Sequence, residues 1–438
     1  MITRIEIDGF KSFLDFQLDI PPFLAVIGRN ASGKSNLVDA LAFLASVATG
    51  DPLHKAVDAA RGNAESLFHR YADGSAADEM RFALEFLLDV KAQSIATRWR
   101  YECSIGWDRR GSGAGFLTLL SERFAPIEPG DDDWRALDGA SEEWRRERVR
   151  YFTGDVAEGL FPPAVALGRP VGADAVVVRD RWTGARRDPD LEEAFTAAVA
   201  AGVELEHLLV LRLVTDALRK PSPLRVLRKL DSSGEGLPLL LTRIREGTAS
   251  DDRPDGELSD VRNELLLVIR EVMGFELAED RVRQDVRVRF AARHDEGFEA
   301  TQASDGTLRA LAILAALHDP EPRGTLVVEE PEDGIYPERM PTFLRIMGDD
   351  ACRPDVDPAD APLRQLIITT HSPAAAKAVS REHLVVFEAA TRVGAGLPPS
   401  RVTVPRRVLR DGERPAREPF AVPPVSEAEL AAFTGRRG

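Results

Sequence analysis

Cysteine is almost absent. Only Cys103 and Cys352 occur in 438 residues, far apart and outside any CxxC spacing. That excludes a disulfide framework, a thiolate zinc site and a zinc hook, and it suits a reducing cytoplasm. Long apolar runs are also missing: no stretch approaches the ~20 residues that span a bilayer. The opening MITRIEIDGF is charged at once and has no leader-like apolar region. The chain is therefore expected to be soluble and cytoplasmic, with no membrane partner. Positive charge is in deficit, 57 Lys and Arg against 72 Asp and Glu, a net charge of −15. A surface that grips nucleic acid throughout is excluded, because phosphate binding needs clustered cations. DNA contact stays open only through local basic clusters at Arg145–Arg150, Arg219–Lys229 and Arg401–Arg410, whose plainer reading is solvated charge. No heptad pattern persists long enough for an extended coiled coil.

What is present is a globular composition, 44% apolar and 29% charged, over a length that one core seldom organises. Ile5 and Ile7, then Leu14, Phe16, Leu18 and Ile20, alternate with polar residues like half-buried antiparallel strands, with a turn over Gly9–Phe13. Phe23–Ile27 is continuously apolar, as in a strand buried on both faces. Further strands are expected over Phe82–Val90, Trp99–Ile105 and Arg281–Phe290. Helices are expected over Leu191–Ala201, Leu205–Leu218 and Leu258–Met273. Beyond Ala389 the Pro, Arg and Gly content reads as a poorly ordered tail, with Ser426 and Glu429 at capping-box spacing before a short helix.

Four constellations carry chemistry. Gly28-Arg29-Asn30-Ala31-Ser32-Gly33-Lys34-Ser35 matches G-x-x-x-x-G-K-S at every fixed position, between a buried strand and a helix that begins near Asn36. Backbone N–H groups of such a loop surround phosphates; Lys34 meets the β- and γ-phosphates and the Ser35 hydroxyl meets Mg²⁺. The second is the buried strand Thr325-Leu-Val-Val, which ends in Glu329 and Glu330. Glu329 is assigned to the Mg²⁺ shell through water, and Glu330 to polarising the water that attacks the γ-phosphate. Third, Leu366-Ile-Ile-Thr-Thr370 delivers His371, a candidate γ-phosphate sensor. Last, Ser304, Asp305 and Gly306 precede an apolar helix and form an anion-binding end.

Together these motifs resemble the ABC-type ATPases of the structural-maintenance-of-chromosomes and RecF group, and most closely the stand-alone AAA proteins related to the OLD nuclease ATPase domain. The matching stretches are IEIDGFKSF, GRNASGKSN, ASDGTLRALAIL, VVEEPEDGIYP and ITTHSP. The resemblance implies an α/β P-loop ATPase head with an antiparallel β subdomain and an inserted, mainly helical domain. It also implies ATP and Mg²⁺ as ligands, and a head-to-head homodimer in which Ser304, Asp305 and Gly306 complete the partner's site. The loop Glu332, Asp333 and Gly334 would lie at that interface. The group's adenine lever falls near Lys11 and Phe13, and Gln93 is a candidate for its glutamine loop. The signature here is ASDGT where transporters have LSGGQ, and Glu329 stands where many relatives use Asp.

The expected division is head (1–128), inserted helical domain (129–275), head again (276–390) and tail (391–438). Few residues follow His371, too few for an appended nuclease. The reading is an ATP-hydrolysing switch that controls a separate nuclease or toxin, by analogy in bacterial anti-phage defence. A RecF-like DNA-repair ATPase is the alternative, and a scaffold that binds ATP without useful turnover a third.

Overall fold

The computed structural model of the chain describes residues 1–49, 53–92, 94–108, 116–134, 136–154, 189–224, 230–292, 297–321, 324–394, 396–409 and 423–435. Its centre is a six-stranded sheet in the spatial order Leu397–Arg407, Leu384–Gly394, Phe23–Gly28, Gln365–Thr370, Thr325–Glu329, Leu209–Leu211. All neighbours are parallel except the first pair, a C-terminal hairpin. Alternating side chains of each central strand enter different cores. Phe23, Ala25 and Ile27 join Leu326, Val328, Leu366 and Ile368 on one face. Leu24 and Val26 join Val327 and Ile367 on the other. A strand buried on both faces needs an unbroken apolar run, and these three have one.

The second core closes against a five-stranded antiparallel sheet, ordered Phe16–Asp19, Ile2–Asp8, Glu79–Leu87, Arg98–Asp108, Phe116–Pro126. The phosphate-loop helix, Lys34–Ala48, lies in that same core through Leu37, Val38, Leu41, Phe43 and Leu44. Burying each such side chain contributes about 1.5–3 kcal/mol, so the helix is held by its apolar face. The first core is roofed by helices Leu237–Thr248, Leu258–Val268, Asp305–Leu317 and Met340–Asp350.

The described residues differ from the sequence reading in several places. The described part of 129–275 closes no core of its own. Trp134 and Trp144 pack with Met1 and Leu87, helix Pro189–Glu206 packs on the phosphate-loop core, and the remaining helices roof the first core. These described faces are shared with the head. Leu205–Leu218 is not one helix: the preceding helix runs to Glu206, and Leu209–Leu211 then pairs with Leu326–Val328 as the edge strand. A short run of consecutive apolar residues has no period to separate the two states. Within the expected tail, Leu397–Arg407 pairs with Leu384–Gly394. Helix Glu427–Thr434 carries the capping box of Ser426 and Glu429. Strand Arg281–Phe290 starts later, at Asp285, after a turn with Gln284 at φ 57°.

Candidate nucleotide-binding site

Register places three chain segments at one edge of the central sheet. Ile27 lies beside Thr370, and Val26 beside Thr369, which in turn lies beside Glu329. The loop after Gly28, the carboxylates after Val328 and His371 therefore leave adjacent strands at their carboxyl ends, where α/β sheets bind ligands.

In the loop, Arg29, Asn30 and Ala31 are exposed, whereas Gly28, Ser32, Gly33 and Lys34 are buried. Gly33 caps the helix at φ 101° with no side-chain cap, and the Asn36 N–H donates to Gly33 O at 3.0 Å, so the outward donor capacity of the first turn lies with Lys34 and Ser35. Lys34 Nζ folds onto the loop and donates to the carbonyls of Gly28 (2.8 Å) and Arg29 (3.1 Å). Burial pulls its ammonium below the usual lysine range, against the opposing pull of Glu330, Glu332 and Glu329.

Glu330 adopts φ 52°, a left-handed conformation uncommon for a residue with a side chain. Its N–H donates to Thr369 O at 2.9 Å, and Arg309 Nη2 donates to its carbonyl at 3.2 Å. Its carboxylate lies 2.9 Å from His371 Nδ1. Glu332 is turned inward, 8% exposed, and accepts from Thr370 Oγ1 and the His371 N–H. Burial pushes its carboxyl up, and the bonds from Thr370 and His371 offset only part of that.

Residues 23–153 and 207–376 match the family described as AAA domain, putative AbiEii toxin, type IV toxin–antitoxin system. The chain belongs to this family of AAA ATPases. Over 95 residues it is 38% identical to the chromosome partition protein Smc of Methanocaldococcus jannaschii, covering 22% of this chain and 8% of that protein. Over 51 residues it is 49% identical to structural maintenance of chromosomes protein 1 of Arabidopsis thaliana, covering 11% and 4%. The chain thus spans less than a tenth of the length of these curated relatives. Among solved structures it resembles an Smc head bound to the C-winged helix domain of ScpA, with a TM-score of 0.49 at 12% identity, covering 92% of this chain and 98% of that one. It also resembles the SMC head domain of Thermotoga maritima, with a TM-score of 0.42 at 12% identity, covering 93% and 99%.

In this AAA-family head, the signature residues bond away from the phosphate loop. Ser304 caps helix Asp305–Leu317, accepting from Thr307 N–H at 3.2 Å. Asp305 pairs with Arg219 at 2.7 Å. A Cβ built on Gly306 would lie 2.0 Å from Gly334 O, so the signature and the loop after the acidic strand are in backbone contact. Asp333 lies 3.5 Å from Arg309 of the same helix. Ser304 and Asp305 are exposed. Of the loop Glu332, Asp333 and Gly334, Glu332 faces the interior.

Several functional residues escaped sequence reasoning. Asp39, 1% exposed on its side chain, binds Lys11 Nζ at 2.5 Å, Arg212 Nη2 at 2.6 Å and Arg61 Nε at 3.2 Å. Arg61 also donates to Ser35 O at 2.7 Å. Arg61 and Arg212 each lie 3.4 Å from Glu329. The two guanidiniums thus staple Glu329 to the helix that carries Ser35. Beside the loop is a cavity of about 460 Å³ lined by Lys11, Arg61, Phe68, Arg70, Arg401 and Thr403 among others, with no carboxylate in its wall. Phe13 is not part of it, being fully buried in the core beside Phe16; Lys11 is the half of the expected lever that lines the cavity. Gln93 lies outside the described residues.

The residues fit Mg²⁺ with a nucleotide. Among the described residues no group of three or more His, Cys, Asp or Glu forms a protein-only metal cage. A hydroxyl (Ser35) and a carboxylate (Glu329) suffice where phosphates supply the other oxygens. Several cations of the basic clusters pair within the chain, Arg148 on Asp89, Arg150 on the carbonyls of Val90 and Ile95, Arg219 on Asp305, and Arg406 on Glu388 and Glu429, whereas Arg146 is exposed and Arg401 lines the cavity. No helix among the described residues is long and apolar enough to cross a membrane.

Proposed function

We propose that the chain binds ATP on Gly28, Arg29, Asn30, Ala31, Ser32, Gly33, Lys34, Ser35 and Asn36, and hydrolyses it in a head-to-head homodimer. The observation that carries this reading is the meeting of Lys34, Glu329, Glu330 and His371 at one sheet edge, while Ser304 and Asp305 stay exposed on another helix. Mg²⁺, held by Ser35 and Glu329, would offset phosphate charge. Lys34 exchanges its loop carbonyls for phosphate oxygens. The Glu330 carboxylate orients a water and takes its proton as the water oxygen attacks the γ-phosphorus, and the bond to the ADP oxygen breaks. With Nδ1 donating to Glu330, a neutral His371 accepts at Nε2 from water, and only the imidazolium donates to a phosphate oxygen. Ser304, Asp305 and Gly306 reach the partner's γ-phosphate, which makes dimer formation depend on ATP.

The dimer acts as a switch on a separate nuclease or toxin in bacterial defence. The family's own description, a putative toxin of a type IV toxin–antitoxin system, supports a place in such a system; the separate effector is our own addition to it. The pairing of Arg148, Arg219 and Arg406 within the chain favours this reading over a RecF-like DNA clamp. Changing Glu330 to Gln tests the core of the proposal: hydrolysis falls at least ~100-fold and light scattering finds an ATP-bound dimer. A Glu330→Gln protein that stays monomeric with ATP, or wild-type hydrolysis that duplex DNA stimulates strongly, defeats the reading.

A further inference from the structure

The C-terminal hairpin closes on the phosphate loop. Thr403, 3% exposed, lies on strand Leu397–Arg407. Its Oγ1 donates to Ser32 O at 3.0 Å, and its N–H donates to Ser12 O at 2.8 Å. A Cβ built on Gly33 would fall 1.9 Å from the same Oγ1, so no side chain fits between strand and loop. Two more bonds extend the chain: Asn36 Nδ2 donates to Ser12 Oγ at 2.7 Å, and Ser12 Oγ lies 2.7 Å from Thr403 Oγ1. A carbonyl only accepts and each hydroxyl has one proton to give. Thr403 spends its proton on Ser32 O, so Ser12 must donate to Thr403. The network therefore has a single polarity, running from Asn36 through Ser12 and Thr403 to Ser32 O.

That polarity has a consequence for the loop. No peptide bond here is cis, and in a planar trans peptide the N–H points opposite to the carbonyl. Anchoring Ser32 O on the hairpin turns the Gly33 N–H to the far side, into the loop. We propose that Thr403 is a positioning residue that sets the Ser32–Gly33 peptide so that its N–H faces a bound phosphate. The proposal rests on the phosphate-loop reading above. Thr403 holds the loop alike before and during reaction, so it contributes uniform binding, which appears in KM and not in kcat.

The full chain is titrated with a fluorescent ATP analogue, and hydrolysis is followed at varied ATP. Thr403→Val keeps the shape and loses the donor. Its Kd and KM rise about tenfold, equivalent to about 1.4 kcal/mol, while kcat holds within about twofold. Thr403→Ser restores binding to within about threefold of wild type. Ser12→Ala, which removes the donor to Thr403 without touching the strand, weakens binding by about threefold and covers the case in which Thr403→Val melts early. Unchanged binding in Thr403→Val or Ser12→Ala overturns the assignment. So does a Thr403→Ser protein as weak as Thr403→Val, or a fall in kcat at constant KM. Lys34→Ala separates the two levels: if it binds the analogue as well as wild type does, the phosphate-loop reading itself is lost. If Lys34→Ala fails to bind while Thr403→Val binds normally, only the role of Thr403 is lost.

Discussion

Changing Ser304 to alanine should damage an ATP site that is not its own. Ser304 Oγ accepts from Thr307 N–H and lies 2.7 Å from Thr307 Oγ1; no loop residue is its partner there. Losing this cap costs about 1 kcal/mol of stability, little against the roughly 5–15 kcal/mol of a folded domain. The larger loss falls in the dimer, where a hydroxyl bound to charged phosphate contributes about 1.5–3 kcal/mol. Hydrolysis should drop roughly 10- to 100-fold, while binding of a fluorescent ATP analogue to the monomer stays near wild type. Mixing separates this from a local defect. In a mixed dimer of Lys34→Ala and Ser304→Ala, one site pairs an intact loop with an intact signature. At equal concentrations with random pairing, half the dimers are mixed and each has one working site, so activity recovers to about a quarter of wild type. A phosphate-release assay on the mixture decides. A mixture no more active than its components refutes the composite site, as does a Ser304→Ala protein that fails to bind the analogue at its own loop.

Two further outcomes follow from packing. Gly306→Ala places a methyl 2.0 Å from Gly334 O, where ordinary contact begins near 3.4 Å. Overpacking of this kind costs about 1–3 kcal/mol and moves the loop beside Glu330, so hydrolysis should fall about 100-fold while the thermal melt shifts only modestly; a fully active variant rejects the contact. Asp132 pairs with the wholly buried Arg98 through two bonds, at 2.6 and 2.7 Å. Asp132→Ala should lose about 3 kcal/mol in urea denaturation, because it removes both short bonds from a buried guanidinium whose remaining carboxylate neighbour, Glu85, lies 3.7 Å away. Burial alone would raise the Asp132 carboxyl; the bonds from Arg98 and Tyr151 outweigh it and hold the carboxyl below its ordinary 3.8. Its contribution is therefore complete above the unfolded value and is lost as pH falls through the lower folded one. A wild-type chain whose advantage over Asp132→Ala does not shrink at all as pH is lowered below 3.8 contradicts this pairing.

The phosphate loop, the acidic strand and the histidine strand were legible because each couples a fixed spacing or an apolar run to a chain end with one chemical use. The span around Leu209 was not. An apolar run interrupted by Arg212 fits a helix or a strand, and pairing with Leu326–Val328 decides. The C-terminal hairpin was hidden by composition, because Pro398, Pro399 and Pro405 sit on an edge strand, where a missing N–H costs no ladder bond to a further neighbour. Arg61, Arg212 and Asp39 were invisible for another reason. Their bonds join segments distant in sequence, and no local pattern records such a meeting.

The strand that carries the phosphate loop also fixes an order of events during synthesis. Phe23–Gly28, buried at every residue, pairs among the described residues with Leu366–Thr370 and Leu384–Phe387. Both partners leave the ribosome roughly 340 residues later, which at ~5–20 residues per second is roughly 20–70 s. For that interval the nucleotide loop is attached to an apolar strand with no ladder to join. The nascent chain has to shelter it, or borrow a chaperone, before the first ATP can be held.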